Sequence, residues 1–488
     1  MNPALVELLS SDSHFEMGFS PQEHASGVSF AHMPNFAQTV TAEASESRVF
    51  TAKGLATRER ILHSAAAVLL AEGLMGFSVD RVRAEASVSG SQMSHYFADR
   101  QELVRAVVER RIERVLDFHR QPQLGGLDTF EEWERWSDLN VRHLRRIGHR
   151  GTATYHVLVG QLARYDEATR EIFASGYLRW VTLLEDSFAR MKSRGVIVKS
   201  AEPRQLAWTV VSLHQGAGVL ANAFRDDWPL ADVTRFVVDY LRLFATDAAE
   251  RTPRPLRRTR RRRGAGTVVV ADGGPRFTEK GLATRARIVE GAAELMFERG
   301  VAGTSLDDVR TVAGVSGSQM SHYFADRRDL TRHVIAARTE FVIAFHRQPE
   351  LGGLDSLRSL RAWADSCRAQ AGPEYSSRGC VYGSLTGELL EADDATLNVL
   401  AAGYDRWLAV FEDGLSVMRE RGDLVSEADP RRLAVALVAA HQGGTMVTHV
   451  AGSGDPFRTA VGATVDYVAA LAPTAGRRRR PGSRSKKV

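Results

Sequence analysis

Cysteine is nearly absent from this chain, and that narrows its chemistry first. Among 488 residues only Cys367 and Cys380 occur, too few for a disulfide scaffold or a four-cysteine zinc site. Both read as ordinary reduced thiols. No uninterrupted apolar run approaches the ~20 residues that cross a bilayer, so no membrane partner is expected. The first residues show no basic cluster followed by an apolar block, which argues against a secretory leader and for a cytoplasmic protein. No stretch of strand length alternates apolar with polar residues, and the expected fold class is all-α. Catalytic fingerprints are missing too: there is no Walker loop, no H-E-x-x-H and no Gly-rich strand-to-helix motif, so neither catalytic residues nor a metal or cofactor is expected.

What is present is charge of one sign, concentrated in two places. Residues 251–263 hold eight arginines and residues 477–488 hold five arginines and two lysines, with no acid in either. Taking those fifteen charges from the net +5 leaves −10 for everything else. The basic balance therefore belongs to two arms, which would add salt-sensitive, sequence-independent affinity for a polyanion.

An internal repeat organises the rest. Lys53-Gly-Leu-Ala-Thr-Arg58 recurs as residues 280–285, and the twelve residues from Ser89 to Arg100 recur without change as Ser316 to Arg327, both at an offset of 227. Phe118 to Pro122, Trp136, Trp180 and His214-Gln-Gly216 recur at that same offset as Phe345 to Pro349, Trp363, Trp407 and His441 to Gly443. A constant offset means two copies of one fold with no insertion that moves an element. The expected division is a disordered extension over 1–49, a first head over 50–98 and its regulatory half over 99–248. An Arg-rich linker over 249–276, a second head over 277–325, a second regulatory half over 326–473 and a basic tail over 474–488 complete it.

Capping chemistry brackets the elements of each head. Ser78 and Ser305 suit the start of a short helix, and Ser305-Leu-Asp-Asp308 adds an acidic capping-box partner. That helix must end at Gly314, which can take a left-handed conformation; the first copy has Ser87 there. A third short helix starts at once from the capping boxes Ser89-Gly-Ser-Gln92 and Ser316-Gly-Ser-Gln319, and Asp99 and Asp326 cap a long helix after it. Two short helices joined by a tight turn make a helix-turn-helix, whose second helix lies in the major groove of double-stranded DNA. Its reading residues would be Ser89, Ser91, Gln92, Ser94 and His95, with Ser316, Ser318, Gln319, Ser321 and His322 in the second copy. Gln can pair bidentately with adenine. Phosphate anchoring would fall to Arg58, Tyr96 and Arg100, and to Arg285, Tyr323 and Arg327.

These residues resemble the tetracycline-repressor (TetR) family of bacterial regulators. The resemblance rests on Thr304, Ala313-Gly-Val-Ser316, Met320-Ser-His-Tyr-Phe324 and Asp326-Arg-Arg-Asp-Leu330. In the first copy it rests on Ser78, Ala86-Ser-Val-Ser89, Met93 to Phe97 and Asp99 to Leu103. Ser87 departs from the turn glycine, and Ser94 and Ser321 stand where the family usually has a tyrosine. The resemblance implies a repressor whose helical half wraps an apolar pocket for a small effector. Trp136, Tyr155, Tyr177 and Trp180, with Trp363, Tyr382, Tyr404 and Trp407, are the candidate lining; aromatics at this spacing more often form a plain core. Residues 206–223 and 433–449 are apolar nearly all round and glycine-containing, and the resemblance makes them part of a dimerisation bundle. A linker of 28 residues reaches about 30 Å as a flexible coil, so the two copies can pair within one chain as a pseudodimer. Pairing between chains as a homodimer with four heads is the competing arrangement. An enzyme, and a protein whose heads no longer grip DNA, are the competing functions.

Overall fold

A computed structural model describes residues 50–147, 159, 167–251, 277–301, 303–378, 380–389 and 393–473. The extension 1–49, the linker beyond residue 251, the tail 474–488 and Tyr155 lie outside them, and the expectations placed there are left as they stand. The described residues from Lys53 onward form one compact unit. Among the described residues there is no strand, and the one β-bridge, Ile197 to Ala245, is isolated. No described helix is long and apolar enough to cross a membrane.

The first copy runs α1 (Ala52–Gly76), α2 (Val79–Ala86), α3 (Gly90–Tyr96), α4 (Arg100–His119), α5 (Phe130–Ile147), α6 (Glu167–Ser193), α7 (Pro203–Phe224) and α8 (Trp228–Arg242). The second runs α9 (Glu279–Arg299), α10 (Leu306–Ala313), α11 (Gly317–Tyr323), α12 (Arg327–His346), α13 (Leu357–Arg378), α14 (Val381–Glu388), α15 (Asp394–Glu420), α16 (Pro430–Ala451) and α17 (Asp455–Ala470). The apolar spacing that predicts α1 and α9 places Ile61, Ala65 and Leu69, and Ile288, Ala292 and Met296, in the core of each head. Proline in the first turn opens α7, α8, α16 and α17, where its missing N–H is not needed for a helical bond.

Helices α7 and α16 are buried on almost every face, as their all-round apolar composition requires. They cross each other, with α8 and α17 packed alongside. The crossing is backbone against backbone. A Cβ on Gly216 would stand 1.9 Å from the Ala439 carbonyl oxygen, and one on Gly443 would stand 1.8 Å from that of Ser212. Ser212 and Ala439, like Gly216 and Gly443, are 227 positions apart, so the contact is reciprocal, as two-fold related surfaces demand.

Around this point the side chains are not symmetric. Phe236 meets Tyr467 edge-on at 4.8 Å between centroids, whereas the reciprocal positions hold Tyr240 and Ala463. Arg432 forms an ion pair of 3.2 Å with Asp239, both largely buried, and the reciprocal positions hold Gln205 and Asp466. Burial raises the pKa of Asp239 even though Arg432 opposes it.

The crossing makes Gly216 and Gly443 intolerant of any side chain. Gly216→Ala and Gly443→Ala should each lower stability by about 1–3 kcal/mol through overpacking in urea unfolding. Gly462→Ala is the control: nothing lies within 4 Å of its Cβ position, and helix propensity should make it neutral or stabilising.

Candidate nucleic-acid interface and the core behind it

In each head the first long helix packs across the two short ones. Ser78 accepts from the Arg81 N–H, and Ser305 and Asp308 form a full capping box. The turn position is left-handed in both copies, at φ 51° for Ser87 and φ 59° for Gly314. Serine thus holds a conformation that favours glycine. Arg60 donates to the Ala86 carbonyl at 3.0 Å and Arg287 to the Ala313 carbonyl at 2.9 Å, tying α1 and α9 to the ends of the helices before the turns. Met93, Phe97, Met320 and Phe324 are buried beneath the short helices.

Helices α3 and α11 are alike in geometry as well as sequence. Ser89 accepts from the Gln92 N–H at 3.1 Å, and the Gln92 Oε1 accepts from the Ser89 N–H at 2.9 Å. Ser316 and Gln319 repeat this at 3.2 and 2.9 Å. Ser94 and Ser321 donate to the carbonyls of Gly90 and Gly317. Ser91, Gln92, Ser94 and His95, and Ser318, Gln319, Ser321 and His322, are all exposed. The cap qualifies the reading of Gln92 and Gln319. With Oε1 turned back onto the helix start, the amide has its Nε2 hydrogens to offer, so a bidentate grip on adenine would require the cap to open.

The expected phosphate anchors carry structural duties. Arg58 lies over the Phe97 ring at 5.4 Å and Arg285 over Phe324 at 5.7 Å. Arg100 donates to the Phe77 carbonyl at 3.1 Å and Arg327 to that of Val301. Tyr96 and Tyr323 are half-buried, each with its preceding histidine edge-on at 5.0 Å. All six still sit on the heads, and Arg100 and Arg327, both partly buried, each give one guanidinium nitrogen to a backbone carbonyl.

Behind the heads, the aromatic residues expected to line a pocket are packed together. Trp136 and Trp180 both donate their indole N–H to Nε2 of His119, at 3.1 and 3.2 Å. Trp363 and Trp407 do the same to His346, at 3.1 Å each. Each histidine meets the carbonyl four residues before it through Nδ1, at 2.7 Å, which fixes the proton on Nδ1 and leaves Nε2 as acceptor. Tyr177 donates to Gln215 at 3.0 Å, Tyr404 to Gln442 at 3.2 Å, and Tyr382 to the Leu400 carbonyl at 3.3 Å. All seven described candidates are at most 2% exposed. Sequence reasoning missed His119 and His346 as the centres of these clusters. The signal was there: both lie in the repeated Phe-His-Arg-Gln-Pro segment, and both tryptophans recur at the same offset.

Among comparisons with known proteins, residues 288–334 match the family described as bacterial regulatory proteins, tetR family. Residues 356–464 match the tetracyclin repressor-like, C-terminal domain. Both matches fall in the second half of the chain, which is similar there to TetR-family regulators, and the elements of the described residues are all helical. Solved structures similar to the chain include the regulatory protein TetR from Rhodobacter sphaeroides, at 20% identity and a TM-score of 0.35, covering 38% of this chain and 98% of that one. NemR of E. coli in its reduced form shows 19% identity and a TM-score of 0.34, covering 39% and 99%. A putative TetR-family transcriptional regulator from Rhodococcus sp. shows 23% identity and a TM-score of 0.32, covering 38% and 97%. No curated protein matches the chain significantly.

The left-handed turn gives a direct comparison between heads. Ser87→Gly should stabilise by about 1 kcal/mol and Gly314→Ser should destabilise by a similar amount, read as shifts in denaturant midpoint. The buried histidines set a pH dependence. Burial depresses His119 and His346 to about 4 and His441 to about 3. The unfolded chain therefore takes up protons below about 6.5 that the folded chain refuses. Stability should be full above that pH and fall steadily toward pH 4. His119→Leu should be less stable at pH 7.5, since the indole donors of Trp136 and Trp180 lose their acceptor, and should show a shallower acid slope.

Proposed function

We propose that this chain is a DNA-binding transcriptional regulator in which two tandem TetR-like units pair with each other and place two reading helices on one operator. The observation that carries this reading is the duplicated helix Gly-Ser-Gln-Met-Ser-His-Tyr, held in both copies by the same capping box. Identical readers call for identical half-sites, and a two-fold pairing calls for an inverted repeat. Support for pairing within the chain comes from the reciprocal glycine contact of α7 with α16. Each head lies in front of its own long helix, α4 or α12, which ends in a Trp–His–Trp cluster. Movement of the helical half would thereby reach the head. Repression released by a small effector is the mode that the family resemblance implies.

Within the heads, Ser91, Ser94 and His95 and their counterparts Ser318, Ser321 and His322 read base edges. Gln92 and Gln319 contribute as donors through Nε2. Ser89 and Ser316 hold the helix starts, and Arg58, Tyr96, Arg285 and Tyr323 meet phosphates. Arg100 and Arg327 shape the head from behind.

Two measurements test this. Light scattering of the DNA-free protein should give one chain of 53.7 kDa, and selection from random DNA should return an inverted repeat of two equal half-sites bound by one chain. A particle of twice that mass, or a single or direct half-site, contradicts the pairing. His95→Ala together with His322→Ala should relax selectivity by about 1–3 kcal/mol per half-site. A variant that chooses the same sequences as the parent removes the histidines from the reading surface.

A further inference from the structure

The halves differ where the long connecting helix meets the next one. On α4 of the first half, Arg111 has its Nε buried, and among the described residues no hydrogen bond or ion pair reaches this guanidinium. Burial, reinforced by Arg114, pushes it down to about 10. Its surroundings are basic. His143 on α5 is depressed by burial and then by Arg111 and Arg146. Glu59, the acid that acts on Arg114, is already bound to Arg110 at 2.5 Å. Phe118, half-buried, completes the wall, its ring 6.0 Å from that of His143.

The second half has an arginine at the same place but not the same situation. Arg338 on α12 likewise has its Nε buried without a hydrogen bond, but its Nη2 pairs with Glu290 at 3.1 Å. The position of Glu290 is His63 in the first half, so the acid that neutralises one arginine is missing for the other. The position of Arg114 is Phe341, and those of His143 and Arg146 are Gln370 and Pro373. One half has thus balanced its buried cation, and the other has gathered further positive charge around it.

Arg111 is partly buried, and a cation that gives up part of its hydration without gaining a counter-charge is unfavourable by itself. We propose that Arg111, with Arg114 and His143 beside it, binds the carboxylate of a small organic acid whose apolar body lies against Phe118, and that the second half has no such site. A planar guanidinium matches a planar carboxylate through two parallel hydrogen bonds. The inference rests on reading the helical halves as the sensing part of the regulator. It makes the small effector that the resemblance implies an anionic one, sensed by one half of the pair.

The test is thermal unfolding of the full chain at constant ionic strength, with benzoate as the probe, benzyl alcohol as its uncharged analogue and inorganic phosphate as a second anion. Benzoate should raise the melting temperature by about 5 °C at saturation, and benzyl alcohol should not. Arg111→Met should abolish the rise while itself melting higher than the parent without anion, because it removes an unpaired buried charge. Arg111→Gln should also lose the response. Arg338→Met should melt lower and keep the response. A parent unmoved by either anion overturns the proposal, as does stabilisation by both that survives Arg111→Met. Stabilisation by phosphate alone overturns the carboxylate assignment. DNA plays no part in the measurement, so a failure to bind DNA and a failure to bind the anion are separate results.

Discussion

Two helix backbones meet at Gly216 and Gly443 with no room for a side chain between them, and the rest of the molecule is arranged around that contact. Atoms at this separation leave no space for one helix to slide past the other without steric overlap, so the crossing fixes the relation of the two copies. From it, α6 and α15 reach back to the Trp–His–Trp clusters, and α4 and α12 run from those clusters to the heads. Positions far apart in sequence are thus connected through packed elements.

The clusters show how a polar group can serve a core. A neutral imidazole offers one donor and one acceptor, and here the donor meets its own helix while the acceptor takes two indoles. The arrangement ties the end of the connecting helix to the two helices that follow it. It works only while Nε2 is unprotonated, which burial ensures at neutral pH. The same geometry in both copies marks it as the common frame on which they diverged.

Divergence reaches both the charges and the packing of the buried positions. Arg432 and Asp239 make a buried pair on one side of the crossing with no equivalent on the other. His214 meets Asn140 at 2.9 Å in the first copy, where the second has Cys367 in place of the asparagine. Arg111 and Arg338 share a position and differ in partner. The two halves are thus alike on the exposed faces of α3 and α11 and unlike at these buried positions.

The amino-acid sequence by itself determined the helices, their caps, the left-handed turns and the duplication, because each depends on residues within about four positions or on comparison at one offset. Ser89 with Gln92, and Ser305 with Asp308, could be read directly, since a capping box is local. Tertiary structure alone decided which distant side chains meet. The tryptophans, open in sequence to a pocket or a core, meet at His119 and His346 across 17 and 61 positions. Arg100 and Arg327 each reach a backbone carbonyl more than twenty positions away. Whether a donor faces water, a ring or a carbonyl is settled by what packs against it, and periodicity carries no record of that.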